Sequence, residues 1–176
     1  MTFFKEKLKN VKAFIFDVDG VLSLDTSALD EYGDPVRTAN VKDGFAIRYA
    51  LKNGFQVAII TGANTVRVKL RYSKLGVEHI YLNSFEKLSC LNDILDKTGL
   101  KKSEILYMGD DLVDLPVMKE IGIPTCPSDA VPEVKAAAIY ISDRKGGEGC
   151  VRDVIEQVLR SQGKWASQEI TGLKAD

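Results

Sequence analysis

Histidine is nearly missing: His79 is the only one in 176 residues, and it stands just before the apolar run Ile80-Tyr81-Leu82. A lone histidine there reads as structural, and it leaves Ser-His-Asp catalysis and histidine-rich zinc sites poorly supported. Cysteine is scarce as well. Cys90, Cys126 and Cys150 are far apart, odd in number and form no C-x-x-C pair, so they read as free thiols. An excess of either charge is lacking, with 24 basic and 25 acidic residues for a net charge of −1. No basic field is available to hold nucleic acid by counterion release. Apolar runs of membrane-spanning length are absent, and Met1 to Lys12 mixes charge with aromatics in place of a signal peptide's apolar core. The expectation is a cytoplasmic protein with neither a nucleic-acid nor a membrane partner. Internal repeats and low-complexity segments are also lacking, and the length suits one domain spanning 1–176 with a real core.

What the sequence has is alternation. Short apolar runs read as buried parallel strands: Ala13-Phe14-Ile15-Phe16, Val57-Ala58-Ile59-Ile60, Ile80-Tyr81-Leu82 and Ile105-Leu106-Tyr107-Met108, then the weaker Ile123-Pro124-Thr125 and Ala138-Ile139-Tyr140-Ile141. Helical patterns fall between or after them, at Asp43 to Asn53, Thr65 to Leu75, Phe85 to Thr98, Leu112 to Ile121 and Val151 to Gln162. Each is followed by a glycine suited to ending a helix. The fold class this predicts is α/β, a doubly wound parallel sheet. One stretch, Leu24 to Ala39, breaks the alternation. Its turn cluster Glu31-Tyr32-Gly33-Asp34-Pro35 predicts a β-hairpin projecting from the end of the first strand. The tail, 163–176, reads as irregular.

The chemically loaded residues fall at the carboxyl ends of these strands, where ligands sit in open α/β sheets. Strand one runs into Asp17-Val18-Asp19-Gly20, strand two into Thr61-Gly62, and strand four into Gly109-Asp110-Asp111 with Asp114 a turn further on. Lys87 opens the helix after strand three. Each piece alone has a blander reading: a turn, an uninformative dipeptide, a helix cap, a surface lysine. Together, Asp17, Asp19 and Asp110 would crowd carboxylates into one crevice, and a hard divalent cation removes their repulsion. Mg²⁺ suits this set, because it takes oxygen ligands and commonly combines one or two carboxylates with phosphate oxygens. Thr61 and Lys87 add the hydroxyl, backbone N–H groups and positive charge that a phosphate needs. The set points to phosphoryl transfer.

These four segments, Asp17-Val18-Asp19-Gly20-Val21-Leu22, Thr61-Gly62, Lys87 and Gly109-Asp110-Asp111-Leu112-Val113-Asp114, resemble the four motifs of the haloacid dehalogenase superfamily. The resemblance implies that Asp17 is the nucleophile, forming an aspartyl-phosphate, and that Asp19 is the general acid/base. It implies that Thr61, the backbone around Gly62, and Lys87 hold the phosphoryl group. Asp17, Asp19 through its backbone carbonyl, and Asp110 would hold Mg²⁺, with Asp111 and Asp114 placing metal waters or Lys87.

The superfamily often inserts a cap domain between its motifs. Here 44 positions separate Asp17 from Thr61 and 26 separate Thr61 from Lys87, and both intervals are filled by predicted core elements. No cap fits, so either the substrate is large or neighbouring subunits close the site. Asn40-Val41-Lys42-Asp43-Gly44 and Gly146-Gly147-Glu148-Gly149-Cys150-Val151-Arg152, with the motifs above, are similar to the 3-deoxy-D-manno-octulosonate 8-phosphate (KDO 8-phosphate) phosphatases. That similarity implies a small sugar-acid phosphate substrate, a place in lipopolysaccharide precursor synthesis, and a homotetramer. In it, a neighbour's hairpin and tail would cover the site, with Gly146-Gly147 as the tail's hinge. One departure is Ala63, where these phosphatases often carry arginine. By likeness to related nine-carbon sugar-acid phosphatases, Arg71 and Lys74 would contact the substrate carboxylate; plain surface charge is the alternative for both. Two non-enzyme readings stand beside this. A receiver domain would need its aspartate after strand three, where Asn83 lies. A phosphatase-like binding subunit is disfavoured by intact Asp17 and Asp19.

Overall fold

The structure is a computed structural model that describes residues 2–166. Six strands form one sheet: β1 Ala13–Phe16, β2 Gln56–Ile60, β3 His79–Tyr81, β4 Ile105–Met108, β5 Ile123–Cys126 and β6 Tyr140–Ile141. Their order is β3-β2-β1-β4-β5-β6, with every pairing parallel. The chain winds outward from β1 on one side and from β4 on the other. The carboxyl ends of β1 and β4 therefore flank the point where the winding reverses, the crevice in which such sheets bind ligands.

The apolar runs are continuous because both faces of the sheet are covered. Alternate side chains enter opposite cores. Phe14, Phe16, Val57, Ile59, Leu106 and Met108 face one, and Ala13, Ile15, Ala58, Ile60, Ile105 and Tyr107 the other. The first core is closed by helices α1 (Thr2–Lys7), α2 (Val41–Lys52), α3 (Val66–Lys74) and α7 (Cys150–Ser161); the second by α4 (Lys87–Thr98), α5 (Leu115–Glu120) and α6 (Pro132–Ala137). Helix starts follow capping chemistry. Asn40 Oδ1 accepts from Lys42 N at 2.9 Å to open α2, and Thr65 Oγ1 accepts from Arg67 N at 3.3 Å to open α3. Cys126 and Cys150 are buried, Cys90 is half-buried, and all three are free.

The predicted hairpin over 24–39 is present in short form: Leu29 and Pro35 make an antiparallel bridge, and Val36 N donates to Ala28 O and Asp30 N to Asp34 O, both at 2.8 Å. Its turn is closed by Gly33 N donating to Asp30 O at 3.0 Å and by the Asp30 side chain, whose Oδ1 accepts from Tyr32 N at 2.9 Å and from Asp34 N at 3.1 Å. Gly146-Gly147 is a packing contact, not a hinge for the tail. A Cβ on Gly146 would lie 1.9 Å from Gly20 O, and one on Gly147 would lie 2.6 Å from Leu24 N. Gly147 N donates to Val21 O at 2.8 Å, so the start of α7 is pressed against the loop after β1. At the start of the tail, Trp165 meets Tyr49 edge-on at 5.3 Å and lies under Arg152 at 4.4 Å. The remainder of the tail lies outside the described residues.

Candidate active site

Asp17 N donates to Met108 O at 3.1 Å, which extends the β1–β4 pairing and brings Asp17 beside Gly109-Asp110. Close approach is built into this join. A Cβ on Gly20, whose φ is +73°, would come within 2.0 Å of Asp110 Oδ2, and one on Gly109 would come within 2.2 Å of the Asp114 carboxyl carbon. Glycine is therefore required at both positions by neighbours, and at Gly20 by conformation as well.

Lys87 enters from the first turn of α4 and is buried. Its Nζ lies 2.6 Å from Asp17 Oδ2 and 2.7 Å from Asp114 Oδ1. Asp114 is fully buried and saturated: it accepts from Lys87, from the Tyr107 hydroxyl, from Asp110 N at 2.9 Å and from Asp111 N at 3.3 Å. These bonds hold Lys87 and the Asp110 loop in place. Tyr107 was not readable as a site residue, because a tyrosine inside a strand run is indistinguishable from core.

The electrostatics follow from burial. Burial, then the charge of Asp114, pushes the Asp17 carboxyl up to about 7, against the pull of Lys87. Burial, then Asp17 and Asp114, pushes Asp110 up to about 8. Burial opposes the Lys87 charge, but Asp17 and Asp114 outweigh it and hold the ammonium above its ordinary value. Donor oxygens of Asp17, Asp110 and Asp114 lie within 4.8 Å of one another. Two of these carboxylates, Asp17 and Asp110, are strained toward protonation by crowding, and all the donors are hard oxygens. That combination fits a divalent cation such as Mg²⁺.

A cavity of 190 Å³ opens over this cluster, lined by Asp17, Asp19, Thr61, Gly62, Lys87, Asp110 and Asp111 among others. Thr61 is buried and its Oγ1 accepts from Ala63 N at 3.1 Å. Two of the predicted carboxylates stand apart from the converging three. Asp111 Oδ1 caps the next turn, accepting from Leu112 N at 2.7 Å. The Asp19 side chain turns away to Arg37, whose Nε and Nη2 donate to Oδ1 and Oδ2 at 2.7 and 2.8 Å. Sequence reasoning missed Arg37, since an arginine in a turn-rich arm reads as surface charge. Arg71 lines a second cavity of 240 Å³ between the arm and α3. Lys74 lines neither cavity; it is exposed near the end of α3. The reason is direction: α3 starts at the site and climbs away from it at about 1.5 Å per residue.

Comparison with known proteins agrees with this geometry. A model of the haloacid dehalogenase-like hydrolases matches residues 68–154. A 3-deoxy-D-manno-octulosonate 8-phosphate phosphatase of Salmonella typhi is 39% identical over 158 residues, covering 90% of this chain and 84% of that protein. The crystal structure of the same kind of phosphatase from Yersinia pestis superposes with a TM-score of 0.88 at 33% identity, over 92% of this chain and 88% of that one. One from Moraxella catarrhalis, in complex with magnesium, phosphate and KDO, gives a TM-score of 0.89 at 33% identity over 94% of this chain and 95% of that one. The chain belongs to the haloacid dehalogenase-like hydrolases, in the branch that holds the 3-deoxy-D-manno-octulosonate 8-phosphate phosphatases.

Proposed function

We propose that this protein is a magnesium-dependent phosphatase that hydrolyses KDO 8-phosphate to KDO and phosphate. The observation that carries this reading is Lys87 bridging Asp17 and Asp114 beside Asp110, at the crevice of a chain 39% identical to a phosphatase of that substrate. Asp17 attacks phosphorus, the bond from phosphorus to the sugar oxygen breaks, and an aspartyl-phosphate forms. Asp19 gives a proton to the departing oxygen, then takes one from the water that cleaves the intermediate and releases phosphate. Lys87, the Thr61 hydroxyl and the backbone at Gly62 hold the phosphoryl oxygens. Asp17, Asp110 and the Asp19 carbonyl would hold Mg²⁺, with Asp111 at the cavity wall placing its waters. The ion offsets the repulsion between the carboxylate and the phosphate dianion.

Two further points belong to this reading. Ala63 is buried and places no charge beside the Thr61-Gly62 turn, which favours a nine-carbon 2-keto-3-deoxy sugar acid 9-phosphate as the second candidate substrate. The protein acts as one domain assembled into a homotetramer; support comes from the arm, where Leu29, Tyr32 and Val36 are exposed, an apolar set suited to burial between subunits. Phosphate release from a panel of sugar phosphates, with and without Mg²⁺, tests the proposal. Magnesium-dependent release with KDO 8-phosphate as the preferred substrate is expected, and equal rates across the panel would refute the assignment.

A further inference from the structure

The residue assigned to acid–base work is already gripped. Arg37 donates to both oxygens of Asp19, Nε to Oδ1 at 2.7 Å and Nη2 to Oδ2 at 2.8 Å. This parallel fork is the strongest way an arginine holds a carboxylate. Its Nη1 also donates to Pro35 O at 3.3 Å, which ties it to its own arm. The arm's base is fixed in turn: Thr38 N donates to Ser23 Oγ at 2.9 Å, and Leu24 N donates to Thr38 Oγ1 at 3.1 Å. The guanidinium therefore stands at a set place while the arm's tip projects beyond it.

That place is the wall between two cavities. Asp19 lines the 190 Å³ cavity over Asp17 and Lys87; Arg37 lines the 240 Å³ cavity together with Arg67, Arg71 and Tyr72. Val18, between Asp17 and Asp19, also lines the second cavity, so the two are neighbours. The second cavity brings three arginines against Asp30 and Asp34, with Arg67 Nη1 3.6 Å from Asp30 Oδ2, so its lining carries more positive than negative charge. The Arg37 side chain is 15% exposed and that of Asp19 is 45% exposed. Trading one carboxylate for another leaves the shielded guanidinium satisfied and returns the more exposed partner to water, so the exchange carries little desolvation cost.

We propose that Arg37 is a substrate-operated latch: the carboxylate of a sugar acid entering the 240 Å³ cavity takes over the guanidinium, and Asp19 is then free to turn toward the leaving oxygen. Arg37 thereby reads the substrate's acid group and positions Asp19 in one exchange, which spends binding energy remote from phosphorus on the chemical step. This rests on the reading given under Proposed function. It makes the missing positive charge at Ala63 less consequential, since the arm supplies one.

The test compares wild type, Arg37→Gln and Arg37→Lys on KDO 8-phosphate and on glucose 6-phosphate, which has no carboxylate. The readout is the ratio of kcat/KM for the two substrates, with thermal melting to establish folding. In Arg37→Gln the ratio should collapse by at least about tenfold, led by a rise in KM for the sugar acid. Arg37→Lys, which keeps the charge but loses the fork, should recover part of it. A fall of equal size on both substrates, leaving the ratio where it was, would overturn the latch. Should Arg37→Gln fail to fold, the Arg37→Lys ratio decides alone: a drop supports the latch and an unchanged ratio removes it. A wild type with no preference for the sugar acid defeats the functional reading and the latch together, whereas a preference that survives in the variants defeats only the latch.

Discussion

At the scale of single residues, the site is governed by charges that burial makes expensive. Asp17→Asn should reduce phosphate release by about a thousandfold or more while leaving the circular dichroism spectrum unchanged; substantial magnesium-dependent turnover by the folded variant would falsify its role as nucleophile. The raised carboxyls set a pH dependence. Without metal, Asp17 reaches about 7 and Asp110 about 8, so at neutral pH the crevice holds protons that a cation must displace. Magnesium affinity should therefore climb as pH rises from about 6 to about 9 and level off above that. Calorimetry at neutral pH, in buffers of differing ionisation enthalpy, should record proton release, and an affinity flat across that range would contradict the crowding argument. Asp43 offers a case away from the crevice. Burial pushes its carboxyl up to about 6, although Arg152 N donates to Oδ1 at 2.6 Å, and its Oδ2 has no hydrogen-bond partner among the described residues. Its folded value lies above its unfolded value of 3.8, so the folded state holds the proton more tightly. Stability from this group is full below about pH 4 and is lost as pH climbs through about 6. Asp43→Asn should accordingly raise the melting temperature at pH 7, by the equivalent of about 1–3 kcal/mol, and do little at pH 4. A lower melting temperature at pH 7 would show that the carboxylate's bond to α7 outweighs its burial.

At the scale of elements, the sequence was legible wherever one physical rule acted alone. Runs such as Ala13–Phe16 and Ile105–Met108 are apolar throughout because helices cover both faces of the sheet, and all six strands followed from that. Gly99, at φ +69°, ends α4 where a left-handed residue is needed. Reading overshot where a side chain shares the work of a backbone pattern. Asp30 Oδ1 joins the backbone bonds that close the arm's turn, so the strand segments around it hold with a single bridge. Helices α1 and α6 span six residues each, too few turns for a period to show. The carboxyl cluster was legible from strand-end placement, but the Arg37–Asp19 pair was not, since 18 positions of irregular arm separate its members. The Gly146 contact gives an element-level prediction. Gly146→Ala must force the α7 leader off the loop after β1, at a cost of about 1–3 kcal/mol and with reduced turnover. Gly163→Ala, at φ +68° with nothing within 4 Å, should cost about 1 kcal/mol or less and spare turnover. Equal effects in melting and kinetic assays would remove the packing explanation.

At the scale of the whole molecule, no helix among the described residues is long and apolar enough to cross a membrane. The proposed tetramer predicts a fourfold mass in sedimentation at assay concentration, and Tyr32→Glu, on the exposed tip of the arm, should shift it toward monomer with loss of sugar-phosphate turnover. A fully active monomer would end the proposal. The packing of α7 against the loop after β1 also bears on how the protein comes into being. Every residue assigned to the chemistry has been synthesised once position 114 has been made, yet the loop carrying Asp19 and Gly20 lacks the packing of Gly146 and Gly147 until they follow and α7 settles on the sheet. At about 5–20 residues per second, that leaves a few seconds in which a nascent chain holds all its reactive groups without a site to hold them in. A product truncated before Gly146 is therefore expected to release no phosphate although it carries every reactive group, and measurable turnover by residues 1–145 would contradict this.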